Sequence, residues 1–180
     1  MRSSSKNDVS LLDGLGEDEI ELLRMRAMRY AERIDDGTGD IAEVVVFRRG
    51  TTQYAVPISV LREVRPLRSM CRIPGASLVV PGIVHFRGEI LSLHDLEAFM
   101  DPTAGGRPAA WVIVAENAGE RIGIIADEVL GIEQFAATRV RPPPVTFGER
   151  GIPFEGVIDG GVLLLSAERM FDTPSFFSAF

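Results

Sequence analysis

His85 and His94 are the two histidines of this 180-residue chain, and Asp95 directly follows the second. Imidazole and carboxylate groups are common ligands of divalent metals. A strand pairing that set the histidines face to face, with Asp95 or Glu89 as a third donor, would make a small metal site and a metal-dependent enzyme. Between them lies Arg87-Gly88-Glu89, flanked on both sides by apolar runs of strand length. That pattern predicts a β-hairpin whose turn contains the glycine, which takes positive φ without steric cost and carries Arg87 on a rigid support. An arginine held this way suits recognition better than bond-making. Two histidines without a convincing third ligand are more often packing or surface residues, so recognition is the leading reading and the metal enzyme its rival.

Other chemistry is sparse. The sequence has no Gly-rich phosphate loop opening a helix, no G-x-S-x-G elbow and no cysteine pair. Nothing in it calls for a nucleotide, a serine nucleophile or thiolate-bound zinc, and no cofactor is expected. A net charge of −7 argues against nucleic acid as the principal partner, because that affinity rests on Lys and Arg neutralising phosphates. Cys71 stands alone; it reads as a partly buried thiol and fits a reducing compartment. No apolar run approaches the roughly 18 residues that span a bilayer, and the polar start MRSSSKND lacks the apolar core of a signal peptide. A cytoplasmic protein without direct membrane insertion is expected.

The elements that must hold the hairpin follow from periodicity. Residues 1–16 are polar and glycine-punctuated, which predicts a flexible N-terminus. Over residues 17–34, Ile20, Leu23, Ala27, Tyr30 and Ile34 recur at three- and four-residue steps, the pattern of an amphipathic helix. Its stripe packs on the chain's own domain or docks on another protein, and the linker DDGTGD ends it by residue 40. A β-rich body begins near residue 41. Residues 43–49 and 53–56 read as strands about a Gly50-Thr51 turn. Ile58, Leu61 and Val64 recur at three-residue steps and read as a single helical turn with Arg62 and Glu63 on its other face. Residues 95–100 read as a short helix with Asp95 near its start, and 101–108 as a linker.

The order then repeats. Residues 110–116 and 121–126 are again two strands about a polar turn, and a Val-Leu pair follows each such unit, at Val60-Leu61 and Val129-Leu130. Gly156-Val157-Ile158 parallels Gly82-Ile83-Val84, and the Val162 to Leu165 run parallels Ile90 to Leu93. The repeat predicts a mainly β domain over 41–174 with two small barrel lobes, about 41–108 and 109–174, and a C-terminal tail at 175–180. The counterpart of the Arg87 turn, Asp159-Gly160-Gly161, has no arginine. If the chain is a duplicated scaffold, that asymmetry marks the first hairpin as the partner-reading one.

Three segments in order, Val60-Leu61-Arg62-Glu63-Val64, then Gly82-Ile83-Val84-His85-Phe86-Arg87-Gly88 with residues 90–96, then Gly123-Ile124-Ile125-Ala126-Asp127-Glu128-Val129, resemble the motifs of the CheW-type chemotaxis coupling proteins. The resemblance covers about residues 43–171. It implies a CheW-like fold of two SH3-like β-barrel lobes, here preceded by an N-terminal amphipathic α-helix, and a non-catalytic scaffold. The implied partners are the regulatory domain of the histidine kinase CheA and the cytoplasmic tip of a chemoreceptor, met by recruitment to membrane-bound receptor arrays. The partner-binding positions it implies are Leu61, Glu63, Gly82, Val84, His85, Phe86, Arg87, Gly88, Asp127 and Val129, with Glu63 beside Arg87. The chain departs from the family's pattern at His85, Ser92, His94 and Ser166. Those departures bear on the partner more than the fold, and they leave a CheW-like adaptor of a non-chemotactic signalling or motility pathway as the alternative.

Overall fold

The computed structural model describes residues 41–145, 147 and 153–173; the helix expected at 17–34, the flexible start and the tail lie outside them. In chain order, β1 (Ile41–Arg49) and β2 (Thr52–Pro57) form a hairpin, and β3 (Leu61–Pro66) follows a single 3-10 turn at Ile58–Val60. Then come β4 (Cys71–Arg72), β5 (Gly82–Phe86), β6 (Glu89–His94) and a short helix α1 (Leu96–Met100). The second half supplies β7 (Trp111–Asn117), β8 (Glu120–Ala126), β9 (Glu128–Ala136), β10 (Phe154–Ile158), β11 (Val162–Leu165) and α2 (Arg169–Asp172). Among the described residues no helix is long and apolar enough to cross a membrane.

Two sheets result, with orders β10-β11-β2-β1-β9 and β3-β7-β8-β6-β5-β4. They are built alike. Each has a central hairpin, a third strand antiparallel to that hairpin's first strand (β9 on β1, β3 on β7), and a second hairpin joined in parallel to its second strand (β11 on β2, β6 on β8). The duplication read from the sequence is therefore present. Its lobe boundary is not: β3, β5 and β6 follow β1 and β2 in the chain yet belong to the sheet of β7 and β8. A division at 108/109 separates strands that are hydrogen-bonded to each other. The links responsible are short, one 3-10 turn between β2 and β3 and the single residue Asp127 between β8 and β9, so each third strand runs on into the neighbouring sheet.

Most central strands are buried on both faces, which explains the unbroken run Val44-Val45-Val46-Phe47. Val45 and Phe47, with Ile113 and Ala115, enter the core between the sheets. Val44 and Val46 face a second core inside one lobe, and Val112 and Val114 a third inside the other. Phe47, Tyr54 and Phe154 stack in sequence across the shared core, with ring centroids 5.6 and 6.1 Å apart, and burial pushes the Tyr54 phenol well above its ordinary range.

The helical turn expected through Val64 is confined to Ile58–Val60, and Leu61 onward is strand. The β3–β7 register shifts between Leu61 and Glu63, as a bulge makes it do. One extra residue puts Leu61 and Val64, three positions apart, on the same face, and that spacing imitates a helix. The β1–β9 register shifts at the corresponding place. The short helix after β6 is as expected, with Asp95 Oδ1 accepting the Glu97 amide at 3.0 Å as its N-cap.

A candidate partner-binding hairpin

Phe86 and Glu89 are the last cross-strand pair of β5 and β6, so Arg87-Gly88 alone forms the turn. Both residues have positive φ, 47° and 91°, as a two-residue type I′ turn requires. Glycine adopts this readily; Arg87 does so under constraint. Its Nε and Nη2 donate to Glu63 Oε2 at 3.1 and 2.7 Å, and its guanidinium lies 5.7 Å from the Phe86 ring centroid. The Arg87 side chain is nevertheless 66% exposed, whereas Glu63 is 11% exposed. Glu63 is therefore a buried anchor and not the open surface partner its place opposite Leu61 suggests. In strand order β7, β8 and β6 separate β3 from β5; flat, they would stand roughly 19 Å apart. Their contact through Glu63 and Arg87 shows that the sheet curls into a small barrel, and the turn sits on its rim.

The rim is charged strand by strand. Arg62 on β3 donates to Glu116 on β7 at 3.2 Å, Glu116 accepts from Arg121 on β8, and Arg121 reaches Glu89 on β6 at 2.8 Å. Hydrogen bonds from Arg121 and then Arg62 hold the Glu116 carboxyl below its ordinary value. Exposed pairs of this kind contribute little stability and mainly fix side-chain directions. Next to Glu89, Ile90 is 73% exposed, an apolar side chain that the sequence placed inside a strand.

The structure sorts the ten expected positions. Val84, His85, Arg87 and Gly88 reach the surface wholly or in part, and Phe86, 4% exposed, lies beneath the arginine. Leu61 and Val129 are 5% and 8% exposed and belong to the core between the sheets; they support the surface from behind. Gly82 is buried and has no room for a side chain, since a Cβ there would sit 2.5 Å from the Cys71 carbonyl oxygen; at Gly156 a Cβ would sit 2.3 Å from the Arg141 carbonyl oxygen. Cys71 itself is exposed, not partly buried, since two-residue β4 edges its sheet.

His85 and His94 do not face each other. His85 pairs with Ile90, and His94 lies four residues further along β6, roughly 13 Å away. His94 is fully buried and hydrogen-bonded to Ser92 Oγ at 2.9 Å. Glu89 is held by Arg121 and Asp95 by Arg49. Among the described residues no group of three or more His, Cys, Asp or Glu is placed to hold a metal.

Asp127, expected at the partner surface, serves a buried joint that sequence reading missed. Arg49 is fully buried. Its Nε and Nη2 grip Asp95 Oδ1 and Oδ2 at 3.0 and 2.6 Å, its Nη1 meets Asp127 Oδ1 at 2.5 Å, and its remaining protons point at the Arg107 and Pro108 carbonyls. Asp127 Oδ2 accepts the Gly50 amide at 2.8 Å. Burial by itself would favour loss of the Arg49 proton, but the two carboxylates outweigh it and raise the pKa further. Arg49 ends β1 in one sheet while Asp95 and Asp127 follow β6 and β8 of the other, so the cluster fastens the lobes together. At the matching place in the second hairpin, Asn117 makes one 3.3 Å bond to the Ala167 carbonyl. The signal available in the sequence was Arg49 itself, a charge at the end of an apolar strand directly before Gly50.

The sister lobe lacks both members of the rim pair. Gly131 lies opposite Val46 in β1 where Glu63 lies opposite Val114 in β7, and Asp159 occupies the turn in place of Arg87. Glu133, further along β9, is half-buried, and burial pushes its carboxyl upward. A raised folded-state pKa on an acid is a penalty above the unfolded value and disappears in acid. Glu133→Gln is accordingly expected to raise the melting temperature at pH 7, with the gain shrinking as pH falls toward about 4.3, measured by thermal unfolding at several pH values.

The family model described as CheW-like domain matches residues 43–175. The chain belongs to the CheW-like domain family. Among curated proteins it is 27% identical over 103 residues to a chemotaxis protein CheW of Rhizobium meliloti, covering 57% of this chain and 66% of that one. It is 29% identical over 113 residues to protein PilI of Pseudomonas aeruginosa (62% and 60%) and 28% identical over 104 residues to protein FrzA of Myxococcus xanthus (57% and 65%). The aligned part thus spans a little under two thirds of the length of these relatives. The crystal structure of the scaffolding protein TtCheW from Thermoanaerobacter tengcongensis superposes with a TM-score of 0.61 at 24% identity, covering 71% of this chain and 90% of that one, a likeness of fold. The two-lobed, mainly β architecture expected from the sequence is that of this CheW-like family.

Proposed function

We propose that this CheW-like chain is a non-catalytic scaffold that binds a chemoreceptor tip and the regulatory domain of a CheA-type histidine kinase, and that the Arg87 hairpin reads one of them. The observation that carries this is the held arginine: a type I′ turn on the barrel rim, anchored by Glu63 and exposed to solvent, present in one lobe and absent from its sister. A guanidinium fixed in direction loses little freedom on binding, which favours specific recognition. The contact set proposed is Val84, His85, Arg87 and Gly88, extended by Ile90 and aimed by Glu63. Relatives named PilI and FrzA alongside CheW favour a second reading, an adaptor of the same kind in a different signalling or motility pathway.

Co-purification of the full chain from its native cell separates the readings by the partners recovered. Arg87→Ala is expected to lower retention of at least one partner about ten-fold, or 1.4 kcal/mol, and to lower the unfolding midpoint as well, because it leaves the buried Glu63 carboxylate without its guanidinium; retention is therefore compared at a temperature where thermal unfolding shows the variant folded. Unchanged retention of every partner would remove the hairpin from the interface.

A further inference from the structure

Residues 61–88 carry five arginines, Arg62, Arg65, Arg68, Arg72 and Arg87, against one carboxylate, Glu63, in a chain of net charge −7. The fold brings Arg65, Arg72 and Arg87 to neighbouring strands of one lobe. β3 and β5 meet where the sheet curls closed, and β4 edges β5 beyond them. Arg65 and Arg87 lie 5.8 and 5.7 Å from the same Phe86 ring centroid and so are neighbours across that seam. Arg72 stands opposite Gly82, at the other end of β5 from Arg87, roughly 13 Å along the strand, and Arg68 leads into it. Arg68 and Arg72 are exposed. Among the described residues no ion pair involves Arg65, Arg68 or Arg72, and Glu63 is already engaged by Arg87. With Arg62 paired to Glu116 and Arg87 to Glu63, the net positive charge of the seam comes from Arg65, Arg68 and Arg72, which have no carboxylate partner among the described residues, in a chain whose other residues are acidic in sum.

We infer that this basic seam is a docking surface for an acidic face on one of the two partners; the inference rests on the scaffold reading and names the chemistry that one partner must present. Carboxylates spaced along an exposed strand or helix match a row of guanidinium groups, which donate to them in bidentate fashion. Arg65 and Arg87 are held against Phe86, and Arg87 also by Glu63. Such fixed donors fit a protein surface of defined shape better than an anionic lipid surface, which needs only loose positive charge. Pairs at this exposure act on encounter rate and salt dependence.

The test is the full chain carrying Arg65→Gln, Arg68→Gln and Arg72→Gln, which leaves Glu63 and Arg87 intact. The comparison variant is Arg139→Gln with Arg141→Gln, the arginines near Asp159 in the sister lobe. Both are titrated against a fluorescein-labelled peptide of alternating Glu and Leu and against phosphatidylserine vesicles, and both are co-purified from the native cell. Expected are salt-sensitive binding of the peptide by the wild type, weakening of about ten-fold or more in the triple variant together with loss of one partner, and no such change in the comparison variant. Equal peptide binding by all three proteins overturns the seam, as does binding of vesicles in preference to peptide. Recovery of the same partners by wild type and triple variant overturns the seam and leaves the scaffold standing, whereas recovery of neither partner by the wild type overturns the scaffold reading itself.

Discussion

Arg49→Met is expected to destabilise the protein by about 3–5 kcal/mol, the range seen when one member of a buried ion pair is removed. Methionine fills much of the arginine's volume, so the loss is electrostatic and not chiefly a cavity. Asp95, fully buried, would be left with an unpaired charge in the interior, and Asp127 would lose its strongest partner. The two backbone carbonyls at Arg107 and Pro108 that accept from Arg49 would lose a donor as well. Arg49→Lys is expected to recover only part of the stability, because an ammonium is a point donor and cannot reach two carboxylates and two carbonyls in one plane. Urea unfolding followed by circular dichroism measures both; a loss under about 1 kcal/mol for the methionine variant would show that the joint is not a principal fastening between the lobes.

Cutting the chain between residues 108 and 109 is expected to abolish cooperative folding of either piece. The first piece would keep the β1–β2 and β4–β5–β6 pairings but lose β1–β9, β2–β11, β3–β7 and β6–β8. Isolated hairpins are marginal in water, and the core between the sheets draws on both halves: Val45 and Phe47 from one, Ile113, Phe154 and Leu165 from the other. Mixing the two pieces is expected to restore a single unfolding transition, since every strand then regains its partner. A cooperative melt of either isolated piece would contradict the exchanged topology. The same exchange bears on the scaffold: with strands crossing between lobes and Arg49 buried at the joint, a partner touching one lobe acts on a body whose lobes are fastened together.

The hairpins were legible in the sequence because turn chemistry is local. Gly50, Gly88 and Gly119 all take positive φ at the tips of two-residue turns, and apolar runs on each side announce the strands. Repetition of that local order also made the duplication legible, and the motif from Gly82 to Gly88 singled out Arg87. The burial of Leu61 and Val129 and the engagement of Asp127 by Arg49 were not legible for a different reason: a motif records that a position matters, and burial or exposure is settled by what packs on it from elsewhere in the chain.

Three things were decided only by tertiary structure. The bulge at Leu61 depends on which strand lies beside it, and without the partner β7 a three-residue apolar step reads as a helix. The exchange of strands depends on where short links send the chain, which periodicity within each half does not encode. The Arg49 joint depends on Asp95 and Asp127 arriving from 46 and 78 positions away, and burial turns three ordinary surface-type charges into a structural unit. By itself the sequence determined the strands of the hairpins, their turns, the repeat and the arginine at the turn, all set by interactions within a few residues, whereas β3, β4 and β9 took their form from strands elsewhere in the chain. Which faces are inside, which half pairs with which, and which charges are held or left free came from contacts between residues far apart in the chain.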